Sequence, residues 1–211
     1  LRHGDHARAV ILDGGTLLDV PIFERYARTS QTMLAALFAR CAAQRSCHRA
    51  FPSPARDLKV TLARLDRQPV RIKGTTIGRD EFASAVQHLS RTPETAAQIP
   101  LFLRLAAKGD FAGAVALVQD ELPTDDPRPQ LMAWSIRCLE PWARRDEAET
   151  ARLGTGSYLG PTMVRSARFA SAACSVWPPF TDVPGADRRV PSSVPALVVV
   201  GGQDPQDPLA N

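Results

Sequence analysis

Residues 194–208 read VPALVVVGGQDPQDP, and this stretch decides the interpretation of the whole chain. The apolar run at 196–200 is short and rich in β-branched residues, which is typical of a strand buried on both faces in a parallel sheet. Gly201 and Gly202 then permit a sharp turn at the carboxyl end of that strand. Asp204 follows in this turn, and open α/β sheets place their functional groups at this position.

A second apolar run, AVIL at 9–12, is closed by Asp13-Gly14-Gly15 and predicts another buried strand followed by a turn. The two runs bracket nearly the whole sequence, and the region between them favours helices. We therefore expect an α/β fold in which two strands of a parallel sheet are separated by a long, mostly helical insertion.

Apolar residues recur at helical spacing through most of the region between the two strands. Before residue 78, this spacing predicts a helix over 21–43, a helix marked by Leu58, Leu62 and Leu65, and a hairpin arm at 69–72 with its turn at Lys73-Gly74. After it, three helices are predicted: over 79–89, from Thr92-Pro93 to 107, and from Asp110 to about 121. Cys47 and His48 are placed in a loop after the first helix, and 178–193 is a connector rich in proline, glycine and aspartate.

Composition excludes several classes of protein. The 211 residues are 44% hydrophobic and 23% charged, which is ordinary for a globular protein. The net charge is only +4 and the arginines are scattered, so we expect no nucleic-acid partner. No apolar run approaches the roughly 20 residues that cross a bilayer, so we expect no membrane span. The cysteines and histidines lack metal-ligand spacing, so we expect no metal site. We expect no other cofactor either.

The turn Gly-x-x-Asp-Pro-x-x-Pro at 201–208 resembles the turn that carries the triad acid in the α/β-hydrolase fold. In that fold the catalytic residues follow the chain order Ser, Asp or Glu, His. The resemblance makes Asp204 the candidate catalytic acid. The alternative is that Asp204 is an acidic turn residue that caps the next helix.

Several further features occur in an order that resembles the secreted tripeptidyl-aminopeptidase-like branch of the α/β-hydrolases, which is related to prolyl aminopeptidases. These features are a long helix ending in two close cysteines, Phe51-Pro52, a Pro-Val hairpin, a Gly-Asp helix start, Ser-Ile-x-Cys-x-Glu at 135–140, Cys-x-x-Trp at 174–177, and the Asp204 turn. The resemblance implies a partial α/β-hydrolase sheet with a large, mostly helical cap. It places a core strand and turn in 1–18, the cap in 19–178, and a connector, core strand and acid turn in 179–211.

Members of that branch are serine peptidases that release short peptides or proline from free amino termini, but this sequence departs from their pattern. It lacks the nucleophile elbow Gly-x-Ser-x-Gly, because Ser157 has Thr155 and Leu159 where the elbow has glycines. No histidine follows Asp204, and we interpret His3, His6, His48 and His88 as surface or helix-side residues. We therefore expect an internal piece of a longer serine hydrolase, which is inactive alone, with its serine upstream and its histidine downstream.

An aminopeptidase needs negative charge to hold the protonated amino terminus of its substrate. Glu140, at the end of the Ser-Ile-x-Cys-x-Glu segment, is the candidate for this role in binding a peptide substrate. The alternative is a solvated glutamate at the end of a helix. Asp125 and Asp126 are weaker candidates, because a proline-rich loop at 123–129 accounts for them.

Four cysteines allow three disulfide pairings, and we favour Cys41 with Cys47 and Cys138 with Cys174. Paired cysteines imply an oxidising compartment, so the expected location is secreted or periplasmic. The alternative is four buried thiols in a cytoplasmic protein.

Three functions stay open at this point. The first is a serine exopeptidase with a cap, and the second is an α/β-hydrolase with the same cap that cleaves small-molecule esters or amides. Blocking the amino terminus of the substrate should abolish the first activity and spare the second. The third is a non-catalytic helical module in which Asp204 is only a turn residue. If the chain folds alone, we expect the helices to supply its core, because two strands of a larger sheet would leave apolar faces exposed.

Overall fold

The computed structural model describes residues 4–14, 24–118, 127–139, 146–178 and 191–206. Within these ranges a 3₁₀ turn (Gly4–His6) precedes the strands β1 (Val10–Asp13), β2 (Val70–Ile72), β3 (Thr75–Ile77) and β4 (Ala196–Val199). The helices are α1 (Tyr26–Ala43), α2 (Arg45–Ala50), α3 (Pro54–Arg67), α4 (Arg79–Leu89), α5 (Pro93–Ala96), α6 (Ile99–Ala107), α7 (Phe111–Val118), α8 (Pro127–Leu139), α9 (Glu147–Leu153) and α10 (Gly160–Ser175). The fold is therefore a mixed α/β fold, as expected, in which helices predominate.

Strands β1 and β4 lie at opposite ends of the sequence and pair with each other in parallel. The register runs from Val10 opposite Ala196 to Asp13 opposite Val199. The pairing continues on both sides of the ladder, since the Val10 N–H donates to the Pro195 carbonyl at 2.9 Å and the Gly14 N–H donates to the Val199 carbonyl at 3.0 Å. Both apolar runs are thus strands, and the helical region is inserted between two neighbours in one sheet.

In the described part of the chain these two strands are exposed, although their composition is typical of strands buried on both faces. This exposure agrees with the expectation for two strands of a larger sheet that fold without the rest of it. Ile11 on β1 is 71% exposed and Leu197 on β4 is 58% exposed. Among the described residues the two strands form a sheet only with each other, so their apolar side chains meet water. A parallel sheet ordinarily has both faces covered, and this pair is therefore an unusual surface for a folded domain.

The core lies in the helical region, as expected. Buried apolar side chains from helices α1, α3, α4, α6, α7 and α10 form one cluster, in which α3, α6 and α7 pack closely. Phe82 of α4 stacks on Phe102 of α6 with ring centroids 4.9 Å apart, and Phe111 of α7 meets Phe82 edge-on at 6.4 Å. The core therefore joins helices that are distant in sequence and fixes their relative positions.

The hairpin and the helix after it match the sequence-based expectation. Strands β2 and β3 are antiparallel, and their turn has positive φ at Lys73 (48°) and Gly74 (86°). Two successive positive φ values are what a two-residue hairpin turn requires. Helix α4 begins at Arg79 as predicted, because the Glu81 carboxylate accepts a hydrogen bond from the Gly78 N–H at 2.9 Å.

Three helix predictions need correction. The helix predicted over 21–43 begins at Tyr26, because Glu24 and Arg25 form a turn before it. Residues 45–50 form helix α2, so Cys47 and His48 lie on a helix and not in a loop. The helix predicted from Thr92 to 107 is divided into α5 and α6. Pro100 lacks an N–H, so a continuous helix would lose its bond at that point, and the chain begins a new helix just before it. Helix α7 is described to Val118, and 119–121 lie outside the described residues.

Candidate functional site

The turn after β4, which we call the acid turn (residues 201–206), holds Asp204 by hydrogen bonds within the turn. The Asp204 N–H donates to the Gly201 carbonyl at 3.0 Å. The Asp204 Oδ1 atom accepts a hydrogen bond from the Gln206 N–H at 2.7 Å. Asp204 is half-buried. Its carboxylate is therefore fixed at the carboxyl end of β4, as the sequence predicted.

Helix α1 supports the acid turn from the other side. The Thr29 hydroxyl donates to the Pro205 carbonyl at 2.5 Å in a buried position, and Pro205 itself is buried. Arg40 donates to the Gln203 side-chain oxygen at 2.7 Å, although this second bond is exposed. These two contacts attach the end of β4 to the first helix of the insertion.

A cavity of about 440 Å³, which we call the Asp204 cavity, opens between the acid turn and the helices. Asp204 and Pro205 line one side of it, and helix α1 with the Cys41–Cys47 disulfide lines another. The remaining wall comes from the α5–α6 region, with Pro93 and Pro100. The structure therefore places Asp204 at a concave surface of the size that small ligands occupy.

A second and larger opening of about 800 Å³, which we call the aromatic cleft, lies beside the Asp204 cavity. Its walls come from α1, α4, α8, α10 and the acid turn, and they include Tyr26, Arg91, Trp134, Arg137, Phe169 and Gln206. Arg91 lines both the cleft and the Asp204 cavity. Gln206, whose N–H holds Asp204, faces the cleft. The acid turn thus lies on the boundary between the two openings.

Aromatic and cationic side chains meet on one wall of the aromatic cleft. The rings of Trp134 and Phe169 meet edge-on with their centroids 5.5 Å apart. The Arg137 guanidinium lies over the Trp134 ring, 5.1 Å from its centroid, in a cation–π arrangement. Burial lowers the pKa of Arg137, and the positive charge of Arg91 contributes in the same direction, while Tyr26 opposes it. Water therefore has limited access to this guanidinium.

One of the two acidic residues of the same cleft, Asp80, is already paired with a cation. Asp80 accepts hydrogen bonds from Arg165, through two nitrogens, and from Thr162 at 2.7 Å. The Arg165 hydrogen bond is the main reason that the pKa of Asp80 lies below its usual value, and Thr162 adds to the effect. Asp80 is thus a structural carboxylate that ties α4 to α10.

Both disulfides that the sequence favoured are present, with Cα atoms 5.1 Å apart in each. Cys41–Cys47 joins α1 to α2 beside the Asp204 cavity. Cys138–Cys174 joins α8 to α10, the two helices that carry Trp134 and Phe169. The second disulfide therefore fixes the aromatic wall of the cleft.

Ser157 has a structural role, which agrees with its exclusion as a nucleophile. Its side chain is buried, donates to the Ala27 carbonyl at 2.7 Å and accepts from the Leu159 N–H at 3.2 Å. Helix α9, and not a strand, precedes it. The described histidines lie elsewhere: His6 pairs with Asp5 in the 3₁₀ turn, His48 is on α2 and His88 is on α4.

Glu140, Asp125 and Asp126 lie outside the described residues, as does most of the predicted connector. Glu140 follows directly after α8, the helix that contributes Trp134 and Arg137 to the cleft. In the described ranges, no three side chains of the metal-binding types gather closely enough to hold an ion. Nor does any helix there have the length and apolar character that a bilayer span requires.

The sequence reasoning missed Thr29, Arg91, Arg137 and Phe169. One signal was available on α8, since Trp134 and Arg137 are three residues apart and so share a helix face. The other contacts join residues far apart in the chain, and the sequence contains no local signal for them. No family model matches the chain, and no curated protein or solved structure shows significant similarity to it.

Proposed function

We propose that this chain is the cap and two adjoining core strands of a serine hydrolase of the α/β-hydrolase type, with Asp204 as the acid of its Ser-His-Asp triad. The observation that supports the proposal is the position of Asp204. It lies in a turn at the carboxyl end of a strand in a parallel pair, and it faces a cavity lined by the helical insertion. This is the position at which open α/β sheets bind ligands.

The exposed faces of β1 and β4 also support the proposal. Ile11, Leu12, Leu197 and Val198 are apolar and exposed, although strands of this composition ordinarily lie in the interior of a larger sheet. Additional strands beside this pair, with helices on both faces, would cover these side chains. A hydrolase core supplied by flanking sequence has this architecture.

In the proposed mechanism the serine and the histidine come from that flanking sequence. The serine attacks the substrate carbonyl carbon and transfers its proton to the histidine, which then protonates the leaving group. Asp204 accepts a hydrogen bond from the histidine, holds it in the productive tautomer and stabilises its charged form. The Gln206 N–H and the Thr29–Pro205 contact keep the Asp204 carboxylate in place. A chain with the acid alone would be inert.

The proposed substrate is a peptide with a free amino terminus, and Glu140 is the proposed partner of its ammonium group. Glu140 follows α8, which the Cys138–Cys174 disulfide holds at the aromatic cleft. Two disulfides are consistent with an oxidising environment, so we propose that the protein is secreted or periplasmic.

A small-molecule ester or amide is the second candidate substrate. The aromatic cleft favours it, because aromatic side chains with a few placed polar groups are typical of small-molecule sites. An esterase would accept substrates that lack an amino group. A peptidase would not, and this difference separates the two candidates.

The test begins with the coding DNA on both sides of this segment. We expect a Gly-x-Ser-x-Gly motif upstream and a histidine downstream. The extended protein is then assayed with a fluorogenic tripeptide amide that has a free amino terminus, with its N-acetylated form, and with a simple aryl ester. An aminopeptidase cleaves the first substrate and neither of the other two, whereas a hydrolase of small-molecule esters or amides cleaves the aryl ester and does not depend on a free amino terminus.

Asp204→Asn in the extended protein should lower kcat by about 10⁴-fold, as expected for loss of the triad acid. Asp66→Asn, at an exposed position of α3, is the control and should leave kcat unchanged. Unrelated sequence on both sides, or an Asp204→Asn variant with full activity, would show that Asp204 is only a turn residue.

A further inference from the structure

A third opening, of about 270 Å³, lies between the β2–β3 hairpin and helices α4, α6 and α7, and we call it the hairpin cavity. Among the described residues, it shares no lining residue with the Asp204 cavity and only Glu81 with the aromatic cleft. The proposed triad mechanism does not use it. The hairpin cavity is therefore a separate concave surface of this chain.

Apolar side chains form most of the wall of the hairpin cavity, and three of them are phenylalanines. The rings of Phe82, Phe102 and Phe111 line it, and each of these residues is no more than 3% exposed. Ile72 and Ile77 of the hairpin also line it. Protein interiors are ordinarily packed without voids of this size, so the space beside the aromatic rings is available to a ligand.

The volume of the hairpin cavity limits the size of that ligand. An apolar cavity of about 150 Å³ stays dry and binds benzene. The hairpin cavity, with about 270 Å³, accommodates a molecule of one or two aromatic rings. It is too small for a folded segment of a partner protein, so we expect a small molecule.

The exposed residues that line the hairpin cavity include one charge of each sign. Lys73 lies at the hairpin turn, and Glu81 lies in the first turn of α4, where it accepts a hydrogen bond from the Gly78 N–H. A charged ligand would therefore meet one group of like charge, and it would also lose hydration on entering an apolar space. A neutral ligand incurs neither cost, so the charges at this cavity favour a neutral one.

We propose that the hairpin cavity binds a neutral aromatic molecule of one or two rings, with its ring system against Phe82, Phe102 and Phe111. Stacked and edge-on ring pairs contribute binding energy beyond the apolar area that they bury. Phe82 already makes one contact of each kind, since it stacks on Phe102 and meets Phe111 edge-on. A ligand ring would extend this cluster. The binding does not depend on the proposed hydrolase activity.

The test is methyl NMR spectroscopy of the disulfide-intact chain, labelled at its isoleucines and titrated with indole. Ile72 and Ile77 line the cavity, whereas Ile11 is exposed on β1. We expect saturable shifts of the Ile72 and Ile77 signals and no shift of the Ile11 signal. The comparison separates binding in the cavity from adsorption to the exposed apolar side chains of β1 and β4.

Three further probes test the chemistry of the ligand. Indole-3-acetate and tryptamine carry the same ring system with a negative and a positive charge. Each should bind at least about tenfold more weakly than indole, because its charged group loses hydration. Cyclooctanol is a neutral aliphatic molecule of similar size, and it should bind at least about threefold more weakly than indole, because it forms no ring–ring contacts.

Val115→Phe places a ring in the cavity from α7 and should weaken indole binding by at least about tenfold, because the ring occupies the space of the ligand. Val60→Phe is the matched control, since Val60 is an exposed valine of α3 that does not line the cavity, and it should leave the affinity unchanged. A thermal melt verifies that both variants fold. If Val115→Phe does not fold, Ala85→Leu fills the same cavity from α4.

No saturable shift with indole, or an Ile11 shift as large as that of Ile72, would overturn the proposal. So would an unchanged affinity in a folded cavity-filling variant. Binding of either charged analogue as tight as that of indole would contradict a neutral ligand, and tighter binding of cyclooctanol would contradict an aromatic one. None of these results would bear on Asp204, whose test is the kcat of the extended protein.

Discussion

The hydroxyl of Thr29 donates a buried hydrogen bond of 2.5 Å to the carbonyl oxygen of Pro205, 176 residues farther along the chain. The same hydroxyl lies 3.2 Å from the Arg25 and Tyr26 carbonyls of its own helix, but it has one proton to donate. The contact to Pro205 is the shortest of the three. It ties the acid turn to the first helix of the insertion.

Replacing Thr29 by Val should therefore lower the free energy of unfolding by about 1–3 kcal/mol, because the buried Pro205 carbonyl would lose this donor. Urea denaturation measures the change. Thr32→Val is the matched control, since Thr32 is on the same helix and makes only an exposed bond to the Arg28 carbonyl at 3.1 Å. Equal losses in the two variants would mean that the contact to Pro205 is not important for stability.

The two disulfides should contribute unequally to stability. Cys138 and Cys174 are 36 residues apart, and removing this pair with serines should lower the free energy of unfolding by about 4 kcal/mol on chain-entropy grounds. Cys41 and Cys47 are only 6 residues apart, and their removal should cost about 2 kcal/mol. Urea denaturation of the two double variants under non-reducing conditions measures both values, and a larger effect for Cys41–Cys47 would contradict the chain-entropy explanation.

Ser157 should matter for stability and not for chemistry. Ser157→Ala leaves the buried Ala27 carbonyl and the Leu159 N–H without this partner, so the free energy of unfolding should fall by about 1–3 kcal/mol. Ser175→Ala removes an exposed hydroxyl near the end of α10 and should change stability little. If the proposed function holds, kcat per folded molecule of the extended protein should be unchanged by Ser157→Ala, and a loss of several orders of magnitude would mean that Ser157 is the nucleophile.

The ion pair of Asp80 and Arg165 should make stability depend on acidity. The pKa of Asp80 is lower in the folded chain than its usual value of 3.8, mainly because Arg165 binds its ionised form. The unfolded state therefore takes up the proton first as the pH falls. The stabilisation is fully present above the unfolded value and is lost as the pH drops through the folded value.

Asp80→Asn should accordingly be less stable than the parent chain at about pH 6, and the difference should shrink by about pH 2. Thermal unfolding at both pH values measures it. A difference that persists undiminished in acid would assign the effect of the Asp80 substitution to packing and not to charge.

Local patterns predicted the elements whose causes are local. The apolar runs predicted β1 and β4, Lys73-Gly74 predicted the hairpin turn, and the acidic first turn predicted helix α4 from Arg79 to Leu89. The division of α5 from α6 was also readable, since Pro100 cannot donate the bond that a continuous helix needs. The capping residue Thr92 and Pro93 predict where a helix begins, but they do not predict where it ends.

Features that depend on distant residues were not predictable from the sequence. The composition of β1 and β4 predicted strands, but whether a strand is buried depends on what covers it, and its apolar composition does not supply the cover. The contact of Thr29 with Pro205 and the meeting of Trp134 with Phe169 join segments that have no local relationship. The cysteines are the exception, because their number allowed only three pairings.

The pairing of β1 with β4 has a consequence for how this protein can change. The chain leaves the sheet at Gly14, which is bonded to Val199, and it returns at Pro195, which is bonded to Val10. The whole segment between these points is a single insertion between two paired strands. Lengthening, shortening or exchanging parts of this insertion alters the walls of the Asp204 cavity and of the aromatic cleft while the strand register stays the same. Such changes therefore leave the strand pair and the turn that carries Asp204 in place.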